Sequence, residues 1–282
     1  MNEADFIRAL QALPLHPGAR GLTDDAAVIE IGGETLVVTH DMIAEGVHYL
    51  AGTDPFDIAW KLVAVNLSDL AAKGAEPVGV LIGASIRDDS ERFVAGLRAI
   101  LAEYGVPLLG GDTIRPHGPA SFGCTAIGRA TGRVPSRAGA QPGDRVWLCG
   151  AIGAARRGWL ALTDGSDDDD PADIEAYVRP RPLLAEGRLL APHATAMMDV
   201  SDGLLLDARR IAEASGVTLA LDTPAGLDHD AMTWGDDYAL LLTAPSLDPA
   251  LPATPIGRVT DRGDHALLLD GVPATGQLGF QH

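Results

Sequence analysis

Six short stretches set carboxylates against apolar runs. They are LTDDAAVI (22–29), VVTHD (37–41), NLSDL (66–70), LLGGDT (108–113), MMDVSD (197–202) and GDDYALLL (235–242). A carboxylate at the edge of a core is costly unless a cation meets it. Many hard oxygen donors without a Cys or His cluster point to magnesium or a similar hard cation. Phosphoryl transfer is the reaction class that most needs such a set, because it proceeds by positioning and charge neutralisation. The residues therefore predict a magnesium-dependent enzyme acting on phosphates.

The individual stretches carry different weight. Asn66, Asp69 and Lys73 are spaced to share one helix face, expected to be wet, opposite a core stripe of Ala59, Val63, Leu67 and Leu70. In LLGGDT, Gly110 and Gly111 would let backbone approach a ligand at a turn, with Asp112 at the carboxyl end of a strand. Asp199, Ser201 and Asp202 would gather oxygen atoms at a helix start, where Ser201 or Asp202 is expected to be the N-cap. His48 stands alone on a predicted strand. The pairs Asp24-Asp25 and Asp236-Asp237 flank strands in the two halves.

The elements that must position these groups are legible in outline. A short helix spans 4–12, and a hairpin turns at Gly32-Gly33. A long helix begins after Asp54-Pro55 and ends at Gly74. PVGVLIGAS reads as a buried strand, 88–105 as a helix, and SFGCTAIGRATG as a strand. The loop SRAGAQPGD places a domain boundary near 138. The second half is built alike, with RVWLCG, TAMMDV, VTLALD and YALLLTAP as strands and LLLDARRIAEASG as a helix. Strands and helices mix without strict alternation, which predicts an α/β (α+β) fold in two halves, 1–138 and 139–282.

Composition bounds the function. The chain has 282 residues, 46% of them hydrophobic and 21% charged, which suits a packed globular protein. A formal net charge of −18 disfavours nucleic acid and anionic membranes as partners. Lys61 and Lys73 are the only lysines among 21 Lys+Arg residues, a skew that codon bias explains. Neither follows a glycine, so no P-loop is present. Two unpaired cysteines, an acidic N-terminus and no apolar run near 18 residues predict a reducing, cytoplasmic setting. The acidic tract from Asp164 to Asp173 lacks the glycine and distal glutamate of a calcium loop and reads as solvated.

The motifs TDDAAV, THDMIAEGVHY, AVNLSDLAAKGAEP, LLGGDT, SRAGAQPGD, DVSDGL and GDDYAL follow the order seen in thiamine-monophosphate kinases, which the chain resembles from about residue 3 to 282. Those enzymes share a superfamily with aminoimidazole ribonucleotide synthetase and selenophosphate synthetase. The resemblance implies ATP-dependent phosphorylation of thiamine monophosphate to the diphosphate, with several magnesium ions. It also implies an N-terminal sheet domain that dimerises and a C-terminal α/β domain that completes the site. It assigns Asp25, Thr39, His40, Asp41, Asp69, Asp112, Asp199 and Asp202 to metal, with Asp69, Asp199 and Asp202 at the centre of catalysis. Gly111, Asp112, Arg137 and Ser201 fall to the nucleotide, and His48, Asp236 and Phe280 to the substrate.

Four positions depart from the family pattern. Thr23 replaces a glycine beside Asp25, His40 replaces a hydroxyl residue, Asp236 replaces a glutamate, and Val94 stands where an aromatic is expected beside adenine. Two rival readings exist: another ATP-using superfamily member, such as an aminoimidazole ribonucleotide synthetase or a hydrogenase-maturation dehydratase, and a non-enzymatic acidic metal-binding protein.

Overall fold

Each half builds its own sheet, and one helix is shared between them. The computed structural model describes residues 3–85, 90–115, 117–164 and 170–281. The first half contains α1 (Glu3–Gln11), β1 (Ala27–Ile31), β2 (Glu34–Ala44), α2 (Pro55–Ala72), β3 (Glu76–Ser85), α3 (Ser90–Tyr104), β4 (Leu108–Ile114) and β5 (Ser121–Ala130). Its five-stranded sheet has the order β1-β2-β5-β3-β4. The second half contains β6 (Arg145–Cys149), α4 (Ala154–Asp164), α5 (Pro171–Val178), α6 (Leu184–Leu190), β7 (Ala196–Val200), α7 (Leu204–Ser215), β8 (Thr218–Leu221), α8 (His229–Trp234), β9 (Ala239–Ala244), β10 (Thr254–Thr260), β11 (Leu267–Leu269) and β12 (Val272–Pro273). Its seven strands run β12-β11-β8-β10-β6-β9-β7. The mixed α/β class is thus as expected.

Local chemistry explains the principal elements. Gly32 and Gly33 both take positive φ, 61° and 87°, the backbone a two-residue hairpin requires, and β1 pairs antiparallel with β2. Asp54 caps α2 by accepting the Phe56 N–H at 2.9 Å, with Pro55 at the first helical position. Between β3 and β4, α3 makes the crossover that parallel pairing needs.

Three expectations are corrected here. The wet face of α2 does not exist: Asn66 is 0% exposed, Asp69 6% and Lys73 1%. The helix packs on β2, β3 and β5 with one side and on β7, α5 and α6 with the other, so both halves cover it. A hydrophobic stripe predicts one buried face and is silent about a second covering layer. Gly110-Gly111-Asp112 is not a turn but lies within edge strand β4. A Cβ on Gly111 would sit 1.9 Å from the Ile82 carbonyl oxygen, so the glycine serves close strand approach. β3 is not buried on both faces, since Val78 and Leu81 point to solvent while Val80 and Ile82 face α2.

The acidic tract lies partly outside the described residues. At its described C-terminal end Asp170 caps α5 through the Ala172 N–H at 2.9 Å, and Asp173 pairs with Arg157 at 2.6 Å.

Candidate active site

A cavity of about 850 Å³ opens between the two halves. Asp69 and Asp199 enter it from α2 and β7, and Asp25 from the segment leading into β1. One carboxylate oxygen of each lies within 4.8 Å of the others, the only such group found among the described residues. The Thr39 hydroxyl on β2 donates to Asp69, and the Ser68 hydroxyl donates to Asp199 at 2.6 Å. Burial pushes Asp69 well above the ordinary carboxylate range, with Asp41, Asp199 and Asp25 adding to the rise. Asp199 is pushed up to about 8, first by burial and then by the charge of Asp25. Asp41 opens onto the cavity but is hemmed by its walls, and that desolvation, followed by Asp25, raises it too.

Asp25 behaves differently. Burial would raise it, but Arg137 and Lys73 outweigh that and hold it below its usual value. Arg137 Nη2 lies 2.5 Å from Asp25 Oδ1, and Lys73 Nζ lies 2.5 Å from Asp25 Oδ2. Asp24 is equally enclosed, with Lys73 at 2.6 Å and Arg20 at 2.5 Å. The expectation that a metal cation would meet these carboxylates is therefore corrected for Asp24 and narrowed for Asp25. Counter-charged side chains already meet them. Lysine reaches this point because α2 is buried along most of its length, which the sequence pattern did not reveal.

The helix start after β7 also differs from expectation. Gly203, not Ser201 or Asp202, stands at the N-cap of α7, without a side-chain cap. Asp207 in the first turn instead accepts the Asp202 N–H at 3.1 Å, and Arg210 bridges Asp202 and Asp207 at 2.5 and 2.7 Å. Ser201 and Asp202, freed from capping, line the cavity.

Aromatic side chains also line the cavity. Trp159 and Trp234 pack with centroids 4.6 Å apart, and Tyr177, Tyr238 and Phe280 complete the wall. Asp236 stands among them, its carboxylate held by Lys61 Nζ at 2.9 Å and by the Tyr238 hydroxyl at 3.0 Å. Gly235, Asp236 and Tyr238 all have positive φ, and the Asp236 and Tyr238 N–H groups are tied to the Ser201 and Val200 carbonyls at 2.8 Å. Left-handed backbone at non-glycine residues costs about 1–3 kcal/mol each and persists only where the surroundings enforce it.

Of the residues singled out from sequence, Asp25, Asp41, Asp69, Arg137, Asp199, Ser201, Asp202, His48, Asp236 and Phe280 line this one cavity, His48 from a turn after β2 and not from the strand its sequence predicts. Thr39 joins through its bond to Asp69. The His40 ring does not, because alternation along β2 turns it to the outer sheet face, where Nδ1 lies 2.8 Å from the Thr125 hydroxyl. Gly111 and Asp112 line a second, more apolar cavity of about 670 Å³ with Phe93 and Val94. Sequence reasoning placed Lys73 on a face with Asp69 but missed its burial and pairing, and it missed Lys61, Arg210 and the two tryptophans altogether. The scarcity of lysine, and for Lys73 its spacing from Asp69, were the only signals.

The three clustered carboxylates offer hard oxygen atoms. Asp25 has its two cations, but Asp41, Asp69 and Asp199 form no ion pair among the described residues. Their raised affinity for protons is the mark of anions short of counter-charge, and that donor set fits magnesium or a like cation.

Fold and site together define an AIR synthase related protein. Residues 23–130 match the family described as AIR synthase related protein, N-terminal domain, and residues 141–270 match its C-terminal domain. A thiamine-monophosphate kinase of Salmonella typhimurium is 34% identical over 90% of this chain and 89% of its own length. A solved structure described as AaThiL complexed with AMPPCP and TMP superposes with a TM-score of 0.88 at 28% identity, covering 100% of this chain and 97% of that one. The thiamine-monophosphate kinase of Stenotrophomonas maltophilia gives 0.76 at 35% identity, over 96% of each chain. The chain belongs to the thiamine-monophosphate kinase family and is a phosphotransferase.

Proposed function

We propose that this protein transfers the γ-phosphoryl group of ATP to thiamine monophosphate, giving thiamine diphosphate. One observation carries the reading: a cluster of buried carboxylates and a set of aromatic side chains line a single cavity. The carboxylates suit phosphates with their cations, and the aromatic rings suit flat heterocycles. The AMPPCP and TMP of the solved relative correspond to an ATP analogue and thiamine monophosphate, the two ligands such a cavity would take.

The transfer is direct and in line. The accepting phosphate oxygen is already anionic near neutral pH, so no general base is needed. Asp25, Asp69 and Asp199 would hold magnesium, with Asp41 and Asp202 beside them. Bound there, the metal supplies neutralisation of the phosphate charges. Ser201 and Arg137 contact phosphate, Arg137 by its forked donors. His48, Asp236 and Phe280 contact the substrate. The apolar cavity with Gly111, Asp112 and Val94 holds the nucleotide base and leads its phosphates toward the carboxylates.

Residues 1–138 form the domain that binds ATP and magnesium and dimerises, and residues 139–282 complete the site. A homodimer through the outer face of the five-stranded sheet is favoured by exposed Met42, Val78, Leu81 and Leu109. Among the described residues no helix is long and apolar enough to cross a membrane. The deciding assay is ADP release on adding thiamine monophosphate, with and without magnesium. Release that needs both supports the proposal. No release with this substrate, but release with a formylated or carbamoylated one, overturns it.

A further inference from the structure

Both lysines of the chain belong to α2, Lys61 within it and Lys73 at its C-cap, and both are buried against carboxylates. Every other member of the Lys+Arg set is an arginine. Lys73 sits beside Asp24 and Asp25. Three oxygens ring its ammonium: Asp24 Oδ1 at 2.6 Å, Asp25 Oδ2 at 2.5 Å and the Met197 carbonyl at 3.2 Å. Asp24 Oδ1 and the Met197 carbonyl accept hydrogen bonds from it, while Asp25 Oδ2 meets it as an ion pair, an arrangement for a compact ammonium that a planar guanidinium would not reproduce in the same space. A methionine there would fill the volume, so packing alone does not call for a charge.

We propose that Lys73 is a positioning residue of the phosphoryl-transfer site, a resident counter-ion that keeps Asp24 and Asp25 ordered before any divalent cation binds. The inference rests on the metal reading of the Asp25, Asp69 and Asp199 cluster. Its ammonium sits 2.5 Å from one oxygen of Asp25, a carboxylate that is clustered with Asp69 and Asp199. It therefore stabilises the metal-free protein and weakens the cluster's hold on divalent cation. By linkage the two effects are one: whatever the lysine contributes to the metal-free state, the cation must displace or oppose.

The test is thermal unfolding of wild type, Lys73→Met and Lys73→Gln across a magnesium titration, with sodium-matched ionic strength. Both variants should melt lower than wild type without magnesium, gain more from it, and reach half-saturation at about tenfold lower magnesium. A lysine with only a structural role would instead lower the melting temperature equally at every magnesium concentration. That result overturns the proposal while leaving the kinase reading intact. Failure of both variants to fold even at saturating magnesium also overturns it, since the cation must be able to replace the lysine. No magnesium response in wild type refutes the metal reading itself, and the inference falls with it.

Discussion

The second buried lysine allows a quantitative prediction about how the two halves are joined. Lys61 is 2% exposed, projects from α2 in the first half, and reaches Asp236 in the second at 2.9 Å. Its ammonium also lies 4.1 Å from the centroid of the Tyr177 ring. The gross attraction of such a pair at an effective dielectric constant of about 20 is about 6 kcal/mol, most of it offset by desolvation of both ions. Removing one partner of a buried pair costs about 3–5 kcal/mol, because the other is stranded. The Asp236 side chain is 21% exposed and keeps its Tyr238 bond, so water recovers part of the loss. Lys61→Met should therefore cost about 3 kcal/mol, lowering the melting temperature by about 6 °C for a chain of this size. Asp236→Asn in the same background should add little, and the coupling energy from a double-mutant cycle should be about 2 kcal/mol. Denaturant unfolding of the four proteins measures it. A coupling below about 0.5 kcal/mol would show that the two halves do not depend on this pair and would refute the reasoning.

Four shorter predictions follow from the same geometry. Asp69→Asn and Asp199→Asn should each lower kcat at least about 100-fold while the circular dichroism spectrum stays native; near-normal turnover in either would sink the shared carboxylate cluster. Trp159→Ala and Trp234→Ala should raise KM for thiamine monophosphate about tenfold and leave KM for ATP within about twofold, and a reversed pattern would move the aromatic wall to the nucleotide. Asp237, on the Gly153 N–H at 2.8 Å, is pushed by burial up to about 7, so its contribution to stability is full below about pH 4 and lost as pH rises through 7. Asp237→Asn should accordingly gain about 2–4 kcal/mol relative to wild type between about pH 4 and pH 8, and a difference that stays flat over that range would show the carboxyl is not so raised. Leu81→Asp on the outer sheet face should convert a dimer to a monomer in light scattering, whereas an unchanged mass would rule that face out.

Much of this architecture was written in local signals. The Gly32-Gly33 hairpin, the Asp54-Pro55 helix start and the Gly74 stop depend on a few residues each, and such chemistry can be read in one dimension. The order of the acidic motifs likewise announced a phosphate enzyme. What could not be read were consequences of layering. Asn66, Asp69 and Lys73 looked like a wet face because periodicity reports one partner, and α2 has two. His40 sits beside Asp41 in sequence, yet strand alternation sends the two rows of side chains to opposite faces. Gly110 and Gly111 looked like a turn, while a neighbouring strand was the true reason for glycine. Trp159 and Trp234 lie on separate helices far apart in the chain, and no spacing rule could have brought their rings together.

The burial of both lysines has a practical consequence for labelling chemistry. Lys61 and Lys73 carry the only side-chain amines in the molecule, and both are withdrawn from solvent. Amine-directed acylation or crosslinking should leave every side chain of the folded protein untouched. Because Lys61 meets Tyr177 and Asp236 while Lys73 meets Asp24 and Asp25, lysine modification becomes a clock for opening of the seam at two points. Modification at Lys61 ahead of Lys73 would mean that the Tyr177 and Asp236 contacts part first, and the reverse order would mean that those of Asp24 and Asp25 do.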